Sequence, residues 1–290
     1  MKPPIRLLAI DIDGTLLDSK FQISAANLEA LRRAREAGVE VILVTGRRHT
    51  FALPISDLLG FDLWLISSNG AVTKSRSGEL FHRDLLPLTT ARTLCSIMKD
   101  FRGNTVFTFD KECKGALVLE HMDELNLSIQ RWLEKNMEFI EFVTPLEKAL
   151  VADPVQAMFC GNIERMQAAL EALTSSEIAD RITILRTEYV PRDLCIVDVL
   201  NQGCSKGHAL KRWATYRGVP REQVMAIGDN YNDVEMLEFA GLPIIMGNAS
   251  QDLKQHGWTV TLSNDESGVA AAINRVLGTP VEQESLSPTV

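Results

Sequence analysis

The sequence lacks paired cysteines, long apolar runs and a surplus of basic residues, and each absence excludes a class of protein. Its five cysteines are an odd number and include no C-x-x-C pair, so neither a disulfide framework nor a zinc site is expected. No apolar stretch approaches the length of a membrane span, and the first residues lack the apolar core of a signal peptide. We therefore expect a cytoplasmic protein with reduced thiols and no membrane partner.

Basic residues are also too few to balance the acidic ones, with 30 Lys and Arg against 38 Asp and Glu and a net charge of -8. A chain of this sign repels nucleic acid, which is not an expected partner, and any bound anion must be held by a local cluster of donors. With 290 residues the chain exceeds the usual size of one domain, so we expect two. Composition leaves a monomer and a homodimer equally open.

Two carboxylates stand at the end of the first apolar run. Residues 7–10 have the pattern of a buried parallel strand, and Asp11, Asp13 and Gly14 follow directly. Because strand side chains alternate, both acids start out pointing the same way at the carboxyl edge of a sheet, where open α/β sheets bind ligands. A bound cation would explain two like charges so close, and so would one acid that donates its proton to a leaving group. An isolated pair of this kind is more often two solvated loop acids.

The spacing of apolar and turn residues predicts an α/β fold with a doubly wound core. A helix is predicted over 25–37, a strand over 39–44 and, after a further helix, a strand over 63–66. These two strands run into small or polar residues, as the first one does: Thr45-Gly46-Arg47 and Ser67-Ser68-Asn69-Gly70. Convergence of three such loops at one sheet edge is typical of a ligand site. A hairpin is predicted around residues 75–78.

The pattern changes character after this hairpin. Short strands are predicted over 105–109, 116–120, 138–143, 155–160 and 182–186, with a helix over 162–173. We therefore expect a second α/β unit over 85–192, inserted into a discontinuous core of 1–84 and 193–279. In the resumed core, strands are predicted over 195–200, 223–227 and 242–246. The tail over 280–290 is rich in Pro, Ser and Glu and is predicted to be disordered.

Four separated motifs together resemble those of the haloacid dehalogenase-like (HAD) phosphohydrolases of the Cof type. They are Asp11-Ile12-Asp13-Gly14-Thr15, Thr45-Gly46-Arg47, Ser205-Lys206-Gly207 and Gly228-Asp229-Asn230-Tyr231-Asn232-Asp233. The resemblance covers all of the chain except its tail, and the four motifs combined are far more specific than any one. It implies a Rossmann-like core, an inserted α/β cap that governs specificity, and hydrolysis of phosphate monoesters.

The resemblance assigns a task to each reactive group. Asp11 is the nucleophile that forms an aspartyl-phosphate, and Asp13 first protonates the departing alkoxide and then activates water. Lys206 holds the nucleophile and the phosphate together, while Thr45 hydrogen-bonds the phosphoryl oxygens.

A divalent cation is expected because a dianionic phosphate is repelled by an anionic nucleophile, and Mg²⁺ suits this role best. The resemblance implies that its ligands are carboxylate oxygens of Asp11 and Asp229 and the main-chain carbonyl of Asp13. Asp233 either supports the ion from the layer behind or pairs with Lys206. Further residues are expected at the phosphate or the substrate, namely Gly14, Gly46, Arg47, Asn69, Gly70 and Asn232, although Asn-Gly is first of all a turn signal.

The predicted substrate is a small phosphorylated metabolite. Sugar phosphates are favoured over pyridoxal and flavin phosphates, but the core motifs do not identify the leaving group, which the cap is expected to recognise. Three alternatives stay open. A phosphomannomutase-like phosphomutase needs a second phosphate site, for which Arg181, Arg186 and Arg192 are candidate cations. A phospho-accepting signalling protein would lack the inserted unit, and a binding protein on the same fold would lack catalysis.

Overall fold

The computed structural model describes residues 4–278 and contains two β-sheets. The predicted disordered tail over 280–290 lies outside the described residues. The strands are β1 (Leu7–Ile10), β2 (Glu40–Val44), β3 (Trp64–Ser67), β4 (Val72–Ser75), β5 (Leu80–Arg83), β6 (Thr105–Thr108), β7 (Leu117–Leu119), β8 (Ile140–Phe142), β9 (Gln156–Gly161), β10 (Ile182–Tyr189), β11 (Leu194–Asn201), β12 (Val224–Gly228), β13 (Leu242–Ile245) and β14 (Thr259–Val260).

Helices connect these strands in the order that a doubly wound fold requires. They are α1 (Ala25–Glu36), α2 (His49–Leu58), α3 (Leu88–Ile97), α4 (Leu127–Glu134), α5 (Ile163–Thr174), α6 (Lys206–Tyr216), α7 (Val234–Phe239), α8 (Gln251–Lys254) and α9 (Gly268–Leu277). Helix α1 begins where predicted, because the Ser24 side chain accepts a hydrogen bond from the backbone N–H of Asn27. The predicted fold class is confirmed.

The first sheet has the strand order β14-β13-β12-β1-β2-β3-β4-β5. The strands from β14 to β3 are parallel, and the β4–β5 hairpin extends the sheet in antiparallel fashion. Alternate residues of β1 face opposite layers: Leu8 and Ile10 pack with α1, α2 and α9, whereas Leu7 and Ala9 pack with α6, α7 and α8. Because the strands are covered on both faces, they are apolar throughout and give no alternating signal in the sequence.

The second sheet has the order β10-β11-β9-β6-β7-β8 and is antiparallel except for the β7–β8 pair. One face packs against α3 and α5 through residues such as Phe107, Phe159 and Val197. The other face carries Val106, Leu117 and Leu194, which pack with α4 and look toward the first sheet.

The prediction for 195–200 is wrong in one respect. This segment is a strand, β11, but it does not return to the first sheet. It pairs antiparallel with β10 along its full length and with β9 on its other side. An apolar run buried on both faces does not specify which sheet it joins. The chain leaves the second sheet only after Asn201, so the expected boundary after residue 192 is too early; the division into core and insert is otherwise our interpretation.

The thiol chemistry agrees with the reduced state expected from the sequence. All five cysteines are free, and only Cys113 is exposed. Burial raises the pKa of Cys95 to about 11 and that of Cys160 to about 12, which keeps both as unreactive thiols. Within residues 4–278, no helix has both the length and the apolar character needed to cross a membrane.

Candidate active site

Four loops that leave parallel strands of the first sheet meet at one point. Asp11 follows β1, Thr45 follows β2, Ser68 follows β3, and Asp229 follows β12. The register pairs Ile10 with both Ile227 and Leu43, so the strand ends are level and their loops share one edge. Helix α6 brings its first residue, Lys206, to the same edge, with Ser205 as the N-cap.

A buried lysine joins two of these loops. Lys206 is 1% exposed, and its Nζ lies 2.7 Å from Oδ1 of Asp11 and 2.6 Å from Oδ1 of Asp233. Burial alone would lower the pKa of Lys206, but the two carboxylates outweigh it and raise this pKa overall. The lysine therefore remains charged, and its contact with Asp11 spans 195 positions of the sequence.

Negative charge nevertheless exceeds positive charge in this cluster. Carboxylate oxygens of Asp11, Asp229 and Asp233 all lie within 4.8 Å of one another, with the single ammonium of Lys206 between two of them. Burial raises the pKa of Asp11 to about 7 and that of Asp229 well above its usual range. A divalent cation would neutralise the excess charge and keep these carboxylates ionised.

The donor atoms that remain open fit such a cation. Asp233 uses both oxygens: Oδ1 faces Lys206, and Oδ2 accepts the backbone N–H groups of Asp229 at 3.0 Å and Asn230 at 3.1 Å. Oδ1 of Asp229 accepts from the Thr15 hydroxyl at 3.0 Å. Within residues 4–278 no donor contacts Oδ2 of Asp11 or of Asp229. Two open carboxylate oxygens are suitable ligands for a hard dication, with Asp233 in the layer behind them.

Gly14 makes room for this arrangement. Its φ is +81°, and a Cβ there would lie 2.3 Å from Oδ2 of Asp229. The glycine is therefore needed both for the turn and for the approach of the carboxylate. Its carbonyl accepts a hydrogen bond from the side chain of Asn248 at 2.9 Å, which fixes the loop.

Asp13 is held by Arg47 and not by the buried cluster. Both carboxylate oxygens are occupied, by Nε at 2.7 Å and by a terminal nitrogen of Arg47 at 2.6 Å. The backbone N–H of Arg47 donates to the hydroxyl of Thr45 at 3.1 Å, so three predicted site residues are linked. An acid that protonates a leaving group needs a free oxygen, so the predicted role of Asp13 requires that its pair with Arg47 can open. The contacts of Arg47 and Thr45 with phosphate stay predictions.

Asn69 is predicted to contact substrate, but one N–H and the oxygen of its side-chain amide already pair with other side chains. Its Nδ2 donates to Asp198 at 2.8 Å, and its Oδ1 accepts from Asn232 at 3.0 Å. Asp198 belongs to β11, so Asn69 links the first sheet to the second. This arrangement supports a bridging role for Asn69 and does not favour direct contact with substrate.

Sequence reasoning missed Asp198 and Gln156. Asp198 is buried and accepts hydrogen bonds from the amides of Asn69 and, at 2.9 Å, of Gln156. Burial raises the pKa of Asp198 to about 7, and the hydrogen bond from Asn69 opposes this shift. A signal was present, because Asp198 is the only charged residue inside the apolar run of 195–200.

Gly70 and Gly46 also serve packing. Gly70 has a φ of +106°, and a Cβ there would lie 2.2 Å from the backbone oxygen of Ser205, the N-cap of α6. A Cβ on Gly46 would lie 3.1 Å from Oδ1 of Asn69. The predicted contact of Gly70 with substrate gains no support, since the residue faces the start of the helix that carries Lys206.

The carboxylates of Asp11 and Asp13 open into a cavity of about 300 Å³ between the two sheets. Asp11, Asp13 and Asn232 form its floor on the first sheet. Its roof comes from the second sheet and α4, where residues such as Met158, Ile196 and Trp132 line it. A phosphate bound at the floor would therefore direct its organic part toward the second sheet.

Comparison with known proteins agrees with this geometry. A family model described as haloacid dehalogenase-like hydrolase matches residues 8–273. Phosphatase YwpJ of Bacillus subtilis (strain 168) is 33% identical over 292 residues, covering 94% of this chain and 100% of the relative. Pyridoxal phosphate phosphatase YbhA of Escherichia coli (strain K12) is 29% identical, covering 92% of this chain and 97% of that relative. A solved haloacid dehalogenase-like hydrolase from B. subtilis has a TM-score of 0.79 at 29% identity, covering 94% of this chain and 100% of that structure.

The packing role of Gly70 can be tested against a matched glycine. Gly78 also has positive φ, +91°, but nothing lies within 4 Å of the position that a Cβ would take there. We expect Gly78→Ala to lower the free energy of unfolding by about 1–2 kcal/mol because of its backbone conformation alone. Gly70→Ala should cost roughly 1–3 kcal/mol more, because the new methyl group overlaps Ser205. Urea denaturation measures both, and equal losses would contradict the close approach.

Proposed function

The chain belongs to the haloacid dehalogenase-like hydrolases of the Cof type, and we propose that it is a Mg²⁺-dependent phosphatase that acts on small phosphorylated metabolites through an aspartyl-phosphate at Asp11. Its relatives include named phosphatases, and the chain is an enzyme of this class. The metal, the covalent step and the substrate are the proposed parts. One observation supports them above all: the neighbouring carboxylates of Asp11 and Asp229 each keep one open oxygen, and Asp11 pairs with Lys206 at the floor of the cavity.

In the first step, a carboxylate oxygen of Asp11 attacks phosphorus and the bond from phosphorus to the ester oxygen breaks. The ammonium of Lys206, 2.7 Å from Asp11, holds this carboxylate in place and stabilises charge on the phosphoryl group. Asp13, released from its pair with Arg47 and carrying the proton taken from water in the preceding turnover, gives that proton to the departing alkoxide. The freed guanidinium is then available to the phosphoryl oxygens, in agreement with the predicted role of Arg47.

In the second step, water attacks the phosphorus of the aspartyl-phosphate. Asp13 now accepts the proton of that water. The bond from phosphorus to the carboxylate oxygen of Asp11 breaks, which releases inorganic phosphate and restores the carboxylate of Asp11. The donors expected at the phosphoryl oxygens throughout are Thr45, Asn232 and the backbone near Gly14 and Gly46.

Mg²⁺ bound by Asp11 and Asp229 would supply positive charge that offsets the repulsion between the phosphate and the carboxylate nucleophile. Asp233 supports the site indirectly, because it orients Lys206 and the backbone of Asp229. The carbonyl of Asp13 remains the third proposed protein ligand.

The mutase alternative gains little support from the arginines that sequence analysis singled out. Arg181 is exposed and lies near Asp180 and Glu177. Arg186 pairs with Glu188 and lies over the ring of Tyr231, at 4.2 Å from its centroid. Of the three, only Arg192 lines the cavity in the described part of the chain. Arg47 and Arg48 also line the cavity, so the number of cations does not separate the two reactions; the relatives named as phosphatases make hydrolysis the better supported one.

The nucleophile can be tested by a change that keeps its shape. Asp11→Asn should lower kcat with p-nitrophenyl phosphate and Mg²⁺ by several orders of magnitude, since an amide oxygen is a poor nucleophile. The folded state should survive, because Lys206 keeps Asp233 as its ion-pair partner and the substitution removes one of the crowded negative charges. Asp62→Asn, at a carboxylate that is 99% exposed, is the control and should leave turnover unchanged. Near-normal kcat in Asp11→Asn would overturn the proposed role.

The covalent intermediate can be tested through Asp13. Asp13→Asn removes the base that activates water, so the phosphoenzyme should break down more slowly and accumulate with a substrate whose leaving group needs no protonation. Mass spectrometry of the quenched enzyme should then show one added phosphoryl group on the peptide containing Asp11. Inversion at phosphorus, measured with a chiral phosphate, would instead show direct attack by water.

The metal site can be tested without measuring activity. Mg²⁺ that binds only the folded state raises the melting temperature by mass action, and we expect an increase of a few degrees in the wild type. Asp229→Asn should abolish this increase, because the variant loses one of the two open oxygens, whereas Asp62→Asn should retain it. An undiminished increase in Asp229→Asn would place the ion elsewhere. Turnover should stop when a chelator removes the metal.

A further inference from the structure

The alternation of the second sheet determines which side chains face the reactive carboxylates. Every second residue of three neighbouring strands lines the cavity: Val106 and Thr108 on β6, Gln156 and Met158 on β9, and Ile196 and Asp198 on β11. The residues between them pack on the opposite face, under α3 and α5. The roof of the cavity is therefore a fixed pattern in which three apolar side chains stand beside three polar ones: Val106, Met158 and Ile196 beside Thr108, Gln156 and Asp198.

An aromatic wall closes one side of the cavity. Phe51 of α2 reaches across from the first sheet and meets the ring of Trp132 of α4 edge to face, with 4.8 Å between centroids. Phe139 also meets Phe51 edge to face, with 5.4 Å between ring centroids. Ile129 and Leu133, on the same helix as Trp132, continue the wall.

This wall is poorly suited to a sugar. A sugar presents hydroxyl groups in nearly every direction, and each one that loses water against an apolar surface without a new partner costs free energy. A planar aromatic ring gives up few hydrogen bonds with water against such a surface. It gains both apolar burial and contact with the rings of the wall.

Two unpaired polar atoms accompany the aromatic wall. Arg48 and Gln156 both line the cavity and are only 8% and 5% exposed. Nη1 of Arg48 and Oε1 of Gln156 are buried and have no hydrogen-bond partner among the residues that the structure describes. No carboxylate pairs with Arg48 in that part of the chain; its other terminal nitrogen donates to backbone carbonyls, and its Cζ lies 5.1 Å from the centroid of Phe51.

Unpaired buried donors and acceptors are unfavourable unless a ligand or water pairs with them. Arg48 offers a donor, and Gln156 offers an acceptor. A leaving group that carries both an acceptor and an N–H or O–H donor on its ring would complement these two residues. The cavity volume of about 300 Å³ is at the small end for ligand sites and suits one ring better than an extended ring system.

We propose that the cavity selects phosphate monoesters of alcohols attached to a single planar heteroaromatic ring. Trp132 and Phe51 contact the ring, Arg48 donates to a ring substituent or ring nitrogen, and Gln156 accepts from an N–H or O–H group. This inference rests on the proposed phosphatase function and narrows its substrate class. It replaces the sugar phosphates favoured by the sequence analysis.

The test compares four phosphate compounds with the full-length wild-type enzyme and Mg²⁺. Pyridoxal 5′-phosphate carries one heteroaromatic ring, flavin mononucleotide an extended one, glucose 6-phosphate none, and acetyl phosphate reports the reactive carboxylates with a minimal leaving group. We expect kcat/KM for pyridoxal 5′-phosphate to exceed that for the glucose and flavin compounds by roughly tenfold or more. Equal or greater efficiency with glucose 6-phosphate overturns the proposal, and greater efficiency with the flavin overturns the single-ring class.

Variants then test whether Trp132 and Gln156 determine this selectivity. In Trp132→Ala the ratio of kcat/KM for pyridoxal 5′-phosphate to that for acetyl phosphate should fall by roughly tenfold, and Trp132→Phe should restore most of it. Gln156→Leu should lower the same ratio through a higher KM for the ring compound. Trp258→Ala is the matched control, because Trp258 stacks on His256 outside the cavity. In this variant the ratio of the two kcat/KM values should equal that of the wild type.

The outcomes separate the substrate class from the phosphatase function. If acetyl phosphate is hydrolysed and Trp132→Ala leaves the ratio as it is in Trp258→Ala, the substrate class is wrong while the phosphatase function stands. If none of the four compounds is hydrolysed, the proposed function fails and this inference fails with it. Because Trp132 is only partly buried, a folded variant is expected, and its circular dichroism spectrum verifies this.

Discussion

One buried ammonium group makes the rest of the site possible. Lys206 is almost fully buried between Asp11 and Asp233, and without it three carboxylates would share a region that water scarcely enters. Removing one partner from a buried ion pair leaves a charge uncompensated, at a cost of about 3–5 kcal/mol. Lys206 still does not balance the cluster, because the acids outnumber it. The remaining negative charge and the two open oxygens are what give the site its capacity for a divalent cation.

The site belongs to both sheets. The loops of the first sheet supply Asp11, Asp13 and Asp229, and β11 of the second sheet supplies Asp198, which Asn69 contacts directly. The second sheet therefore does more than cover a finished site, since its strand alternation determines the roof above Asp13 and its hydrogen bonds reach the loop after β3. Movement of the second sheet would change the surroundings of the reactive groups and the shape of the cavity together.

Prediction from the sequence succeeded where a local pattern was compatible with only one structure. Strands β1, β2, β3, β12 and β13 lie within one or two residues of their predicted positions, because apolar runs that end in glycine or polar turns allow few alternatives, whereas β14 was not predicted. It failed for β11, whose run is compatible with either sheet. It also treated Asn69 and Gly70 as candidate contacts for substrate, although the amide of the first already pairs with other side chains and the second faces the N-cap of α6. Such competition for a side chain involves partners far along the chain, which a local pattern does not show.

The sequence by itself determined the fold class, the family resemblance and the four motifs, because each depends on residue types at short spacings. Tertiary structure alone decided how these motifs share partners: Lys206 between two acids, Arg47 on Asp13, and Asn69 on Asp198. It alone also decided the lining of the cavity, where Phe51 and Trp132 meet from different units. Local spacing fixes which chemistry is present, whereas the packing of two sheets against each other fixes which atoms remain free to perform it.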